Sequence, residues 1–167
     1  MFRLPFWQPT AVLACACQNG RHKFRIGKSG FPLALSRRDA ILWRMKHLRT
    51  PELAALVGGL SAPGKMPGFA YGIPAQACKV GSMLRKVQGS TCGKCYALKG
   101  MYVFPVVRKA QARRMESISR PDWTEIMTEL ISRKAKKVPF FRWHDAGDLQ
   151  SLEHLSKIVQ IAKNLPG

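Results

Sequence analysis

The chain has 167 residues, 46% of them hydrophobic, with 28 Lys and Arg against 9 Asp and Glu for a formal net charge of +19. The apolar share excludes a disordered chain, and the length allows one domain with its own core plus an attached segment. The charge points to polyanions or anionic small molecules as partners, while five cysteines, an odd number without a persuasive export signal, exclude a disulfide framework and imply a reducing, cytoplasmic setting.

Residues 1–17, MFRLPFWQPTAVLACAC, join a basic residue to an apolar run, but Pro5, Gln8 and Pro9 interrupt it. The run is too short to span a membrane and makes a poor signal core, so no membrane association is expected. Up to residue 35 no period is sustained, and Gly20, Gly27, Gly30 and Pro32 punctuate the chain. A short hairpin fits residues 22–26, and Cys15-x-Cys17 with His22 offers a further metal ligand. Ser36 as cap, with Asp39 three residues on, predicts a helix carrying Ile41, Trp43, Met45 and Leu48. Thr50 as cap and Pro51 at the first turn predict a second, ending at Gly58-Gly59. Both read as structural, with Arg37, Arg38, Arg44, Lys46 and Arg49 on wet faces. Residues 1–57 thus read as a basic N-terminal extension with short helices, and residues 58–167 as an α/β domain built around a cysteine loop.

Glycine and proline rule out a long helix over residues 58–75, leaving a short strand at residues 69–73 before Pro74. The chain then enters the only stretch that gathers three thiols: Cys78, and Cys92 and Cys95 in a C-x-x-C. Thiolates select zinc or iron–sulfur over magnesium or calcium. Three are one short of a closed tetrahedral zinc site, which His144, His154 or Cys17 would complete. Three also suffice for a four-iron cluster with one iron left open. A redox pair is the remaining reading of Cys92 and Cys95, without the flanking residues of the thioredoxin type. The background is cationic throughout: up to Met115 the acids are Asp39 and Glu52 alone.

Residues 106–117 predict a helix with Arg108, Lys109, Arg113 and Arg114 on neighbouring turns, either a solvated face or a surface that meets phosphate. After Pro121, Trp123, Ile126, Met127, Leu130 and Ile131 recur with helical period as a core stripe, and Arg133, Lys134, Lys136 and Lys137 gather at its end. Residues 138–143, VPFFRW, predict a buried strand that delivers His144, Asp145, Gly147 and Asp148. Ser151 or Asp148 then caps a helix with Leu152, Leu155, Ile158, Val159 and Ala162. Alternating strands and helices imply a parallel sheet with right-handed crossovers, with ligands at the carboxyl ends of the strands. On that topology the cysteine loop and the HDAGD loop share one rim. The HDAGD residues suit acid–base work, metal ligation or acceptance of a cofactor's amine; as a plain turn, Gly147 supplies positive φ and Asp148 a cap.

The run GGLSAPGKMPGFAYGIPAQACKVGSMLRKVQGSTCGKCYALKG, followed by FRWHDAGDLQSLEHLSKIVQIAKNLPG, resembles the phage and prophage family named after gene product 88, from about residue 58 onward. Cys78, Cys92 and Cys95 with Tyr96, and Gly147-Asp148 after the second strand, also look like the cluster loop and the amine-contacting motif of radical S-adenosylmethionine (SAM) enzymes. The spacing is wider than the C-x-x-x-C-x-x-C of those enzymes, and Asp148 stands where Glu is commoner. The resemblance implies a [4Fe–4S] cluster on Cys78, Cys92 and Cys95 with Tyr96 beside it. It further implies SAM held by Gly147 and Asp148, with His144 and Asp145 facing the substrate, and the cationic surface points to a nucleotide or nucleic acid as that substrate. A full (β/α) barrel takes roughly 200–250 residues, and the chain stops at Leu165-Pro166-Gly167. The expected fold is therefore a partial, C-terminally truncated (β/α) barrel-like sheet with a helical basic N-terminal extension. The alternative is a zinc-stabilised, non-catalytic nucleic-acid-binding module or a phage accessory protein that binds a host factor.

Overall fold

The computed structural model describes residues 36–165. The hairpin expected at residues 22–26, and Cys15, Cys17 and His22 as ligands, lie outside the described residues.

Ser36 caps α1 (Arg37–His47), its hydroxyl accepting from the Asp39 N–H at 3.2 Å and donating to the Asp39 carboxylate at 2.6 Å. In α2 (Thr50–Leu56) the cap is Arg49, one residue ahead of the expected Thr50. Glu52 closes that end by accepting from the Arg49 N–H at 2.7 Å and from its guanidinium at 2.8 Å and 3.0 Å. Gly58 and Gly59, at φ 75° and 79°, then take the left-handed backbone that ends a helix.

Strand β1 (Phe69–Tyr71) leads into short 3-10 turns and the helix α3 (Lys79–Leu84), where an irregular loop was expected. Next come α4 (Pro105–Ser117) and α5 (Trp123–Ala135), then β2 (Phe141–Trp143) and α6 (Leu152–Asn164). The strands pair in parallel, with Phe69 opposite Phe141, Ala70 opposite Arg142 and Tyr71 opposite Trp143. The fold is therefore mixed α/β and mostly helical, and among the described residues it holds one two-stranded parallel sheet and no closed barrel. β2 is shorter than expected and only half-buried: Arg142 is exposed and Phe140 is 59% exposed. On the far side of β1, Ser61 and Ala70 exchange both backbone hydrogen bonds, at 2.8 Å and 2.9 Å, and cover that edge at one point.

The core forms where the helical period says it should. Trp123, Ile126, Met127, Leu130 and Ile131 are buried and join Leu53, Val57, Tyr71, Ile73 and Ile161. Residues 36–57, expected as the end of an extension, contribute Met45, Leu53 and Val57 to this same core. Arg133 fastens α1 to it, donating to the carbonyls of Met45, Lys46 and Leu48 at 3.0, 3.1 and 2.6 Å. Those carbonyls end a helix and have no partner within it, so a guanidinium fork satisfies them.

Two expected helix faces come out differently. Arg114 is buried rather than part of the exposed stripe; it donates to the Gly59 carbonyl at 3.0 Å and the Ser61 hydroxyl at 2.7 Å. One residue past Arg113 turns the side chain by about 100°, enough to move it from solvent to the sheet. In α6 only Ile158 of the expected apolar stripe is buried, with His154 and Ile161 beside it, while Leu152, Leu155 and Val159 are exposed. The apolar arc of α6 is wider than the face its neighbours cover.

Candidate functional site

Beyond the paired strands, the backbone ladder continues and sets the rim. The His144 N–H donates to the Tyr71 carbonyl and the Ile73 N–H to the Ala146 carbonyl, each at 2.9 Å. Residues 72–78 therefore run alongside residues 144–148. Gly147 sits at φ 81°, and a Cβ there would lie 2.4 Å from Ile73 Cγ1 and 2.7 Å from its carbonyl oxygen. Backbone shape and close approach both demand glycine at this position.

Side chains lace the two loops together. The Tyr96 hydroxyl donates to the Asp145 carbonyl at 2.5 Å, Lys79 Nζ to the Gln150 carbonyl at 2.7 Å, and Gln150 Nε2 to the Ala77 carbonyl at 3.3 Å. Beneath them Ala75, Ala97 and Ala146 form a small buried cluster, against which Cys95, Leu98 and Tyr102 pack. Alanines let the two loops approach to backbone distance.

The three thiols are free and half-buried. Cys78 caps α3, and Cys92 lies in the turn Thr91–Lys94 that Ser90 caps by accepting from the Gly93 N–H at 3.1 Å. Gly81 separates them: a Cβ there would stand 3.1 Å from Cys78 Cβ, 3.7 Å from Cys92 Sγ and 3.8 Å from Cys78 Sγ. Burial pushes the Cys78 thiol above its ordinary range, and the negative charges of Asp148, Cys95 and Cys92 push it further, against a smaller pull from Arg85. Cys92, Cys95 and Asp148 thus each lie within electrostatic reach of Cys78. Among the described residues no three His, Cys, Asp or Glu side chains converge closely enough to hold a single metal ion.

His144 has φ 57°, the one described non-glycine residue in the left-handed region. Such a backbone costs of order 1–3 kcal/mol and concentrates at functional sites. Neither of its ring nitrogens has a protein partner, nor do Asp145 Oδ1 and His154 Nε2, although all four atoms are buried. Burial lowers the His144 pKa, while Asp148 and Asp145 pull the other way. His154, 1% exposed and stacked edge-on to His144 with ring centroids 5.4 Å apart, falls to about 4, through burial first and then the charges of His144 and Lys157. Asp145 points inward: a Cβ on Gly72 would lie 2.0 Å from its Oδ1, and its charge bears on Tyr102 and Arg114.

Every predicted site residue that the structure describes is accounted for on this rim: Cys78, Cys92, Cys95 and Tyr96 from one loop, His144, Asp145, Gly147 and Asp148 from the other. Of the alternative fourth ligands, His154 and His144 face each other, and Cys17 is outside the described residues.

Residues 43–167 match the family model described as Gene product 88. The chain belongs to that family. The match begins fifteen residues before the expected residue 58, and so takes in the C-terminal part of α1 and all of α2. No curated protein and no solved structure matches this member of the gene product 88 family. Lys79, Gly81 and Gln150 were not singled out from the sequence. Gly81 carried a usable signal, since a glycine inside a helix costs about 1 kcal/mol against alanine and marks a close approach. Lys79 and Gln150 carried none, because their contact joins residues far apart in the chain.

Proposed function

We propose that this gene product 88 protein holds a [4Fe–4S] cluster on Cys78, Cys92 and Cys95 and S-adenosylmethionine against the facing loop, and works as a radical SAM-like enzyme on a nucleotide or nucleic acid. The observation that carries the reading is the meeting of three thiols with Asp148 at the carboxyl ends of two parallel strands. Ligands gather at that end in parallel α/β folds. The donor set fits the group: soft thiolates without an acid among them, in a loop whose glycine at position 81 leaves room between two sulfurs.

When bound, the group supplies one-electron reduction of a sulfonium and, through it, hydrogen abstraction. The chain's own residues bind and orient. Gly147, tight against Ile73, makes the left-handed turn that brings the backbone and Asp148 to the cofactor, Asp148 accepts from its amine, and Tyr96 covers the thiol side. His144 faces the substrate, and Asp145, buried against Gly72, sets the charge behind it. The same reading takes β1, β2 and the helices after them as the first units of a barrel-like sheet. It also sets the protein in a reducing cytoplasm, where thiolates stay available.

Anaerobic purification tests the reading. A brown protein with several irons per chain is expected, and Cys92→Ala is expected to be colourless at unchanged helical content. A colourless wild-type protein with one zinc per chain would overturn the cluster in favour of a zinc-stabilised module.

A further inference from the structure

From residue 53 to residue 115 the sequence contains no Asp or Glu. Within that span Lys94, Lys99, Arg108, Lys109 and Arg113 are exposed, and none of them makes an ion pair among the described residues. Cations left unpaired on an exposed surface attract polyanions and release counterions on binding. The turns Tyr96–Leu98 and Gly100–Val103 pack on each other, and the second packs on α4, so these residues belong to one continuous piece of structure.

The same surface shows aromatic and apolar side chains between the cations. Tyr96 is 58% exposed, Phe104 54% and Met101 71%. Tyr96 is not loose: its hydroxyl is tied to the Asp145 carbonyl and its ring meets Tyr102 edge-on at 5.6 Å. A pre-oriented, half-exposed ring suits a flat partner. Duplex nucleic acid hides its base faces in the stack, so exposed rings gain little from it. A single strand offers a base face at every nucleotide, and stacking on aromatic side chains among cations holds it with little regard to sequence.

We propose that residues 94–113 bind single-stranded nucleic acid, the backbone running along Lys99, Arg108, Lys109 and Arg113 and bases stacking on Phe104 and Tyr96. The strand then ends beside the thiol loop, since Tyr96 follows Cys95 directly. The inference deepens the substrate half of the preceding reading and does not depend on the cluster half.

Fluorescence anisotropy tests it on the anaerobically purified full chain, with a labelled mixed-sequence DNA or RNA strand and the same strand annealed to its complement. Iron is counted in parallel. The single strand is expected to bind at least about tenfold more tightly than the duplex, and Phe104→Ala to lose about tenfold while Phe104→Tyr keeps the affinity. The double variant Arg108→Gln, Lys109→Gln is expected to lower the slope of log affinity against log salt by about 1.4, from about 0.7 per phosphate contact on a single strand. All of these side chains are exposed, so circular dichroism is expected to be unchanged. Equal affinity for strand and duplex, or Phe104→Ala binding as wild type, overturns the proposal, whatever the iron content. A colourless protein that still prefers single strands leaves it standing and removes only the cluster.

Discussion

Along α5 the large apolar side chains are all inside, whereas along residues 80–106 Val80, Met83, Val87, Met101, Phe104 and Val106 are each more than half exposed. The first region satisfies itself. Tyr71, at the bottom of the core, has its hydroxyl within 3.3 Å of the Val57 carbonyl, the Arg114 carbonyl, the Ser117 hydroxyl and Trp123 Nε1. The second leaves cations without counter-ions, and the facing loop leaves buried imidazole nitrogens without partners. A folded chain tolerates such groups where something outside it is to be met. On the proposed reading the two regions divide the work, with stability on α5 and recognition on the thiol side.

The largest effect is expected from the first region. Leu130→Ala removes a fully buried side chain and is expected to cost about 2–5 kcal/mol in urea unfolding. Met83→Ala, 63% exposed in wild type, is expected to stay within about 0.5 kcal/mol. Equal costs for the two would dissolve the division. Tyr71→Phe comes next, at about 1–3 kcal/mol, because it leaves the buried Trp123 Nε1 without its acceptor and leaves Ser117 alone to serve the Val57 and Arg114 carbonyls. Neither core variant is expected to change iron bound per folded chain.

How much of this was legible in the sequence follows the same division. The α5 stripe was readable residue by residue, because burial on one helix face leaves a period of 3.6 in the letters. Shared placement of the two loops was also readable, from the alternation of strand and helix. What escaped depends on contacts between distant residues. Arg114 looks like its neighbours Arg108, Lys109 and Arg113, and only the packing of α4 against Gly58 turns it inward. Leu152, Leu155 and Val159 have the spacing of a core face, yet the neighbours of α6 cover His154, Ile158 and Ile161 instead. The left-handed backbone of His144 left no trace in the letters.

His154 offers a finer test, through pH. Its folded-state pKa of about 4 lies below the ordinary 6.5, so the folded protein favours the neutral ring. Stability from this group is complete above pH 6.5 and is lost as pH falls toward 4, where the unfolded chain binds the extra proton. His144, lowered by burial as well, acts in the same direction. Urea midpoints at pH 7 and pH 5 are expected to differ in wild type and to converge partly in His154→Gln. An unchanged difference would place the acid sensitivity elsewhere.

Gly81→Ala separates the two regions in one residue. Alanine is the better helix former by about 1 kcal/mol, so α3 gains. The added methyl, however, meets Cys78 Cβ at 3.1 Å, close enough to push that side chain, and fills the space between two sulfurs at van der Waals distances of 3.7 Å and 3.8 Å. Thermal stability is expected to hold or rise while iron bound per chain falls; a variant that binds iron as well as wild type would show that the thiols converge away from Gly81.

The smallest effect is electrostatic and concerns Cys78 alone. After burial, Asp148 is the largest cause holding that thiol above its ordinary range. Asp148→Asn removes the charge and keeps the shape, and the amide oxygen still accepts from the Leu149 N–H that the carboxylate now holds at 2.7 Å. With the charge gone the Cys78 pKa moves down, so a larger fraction is thiolate at pH 8, and the thiolate is the form that alkylates. Iodoacetamide labelling of metal-free protein, read at Cys78 by mass spectrometry, is expected to be faster in Asp148→Asn, with Cys92 and Cys95 less affected. An unchanged rate at Cys78 would mean that Asp148 is too far off or too well screened to act on the thiol. The charge of Asp148 would then give no ground for joining it to the thiols in one site, and the two loops, though laced by hydrogen bonds, would serve separate ends.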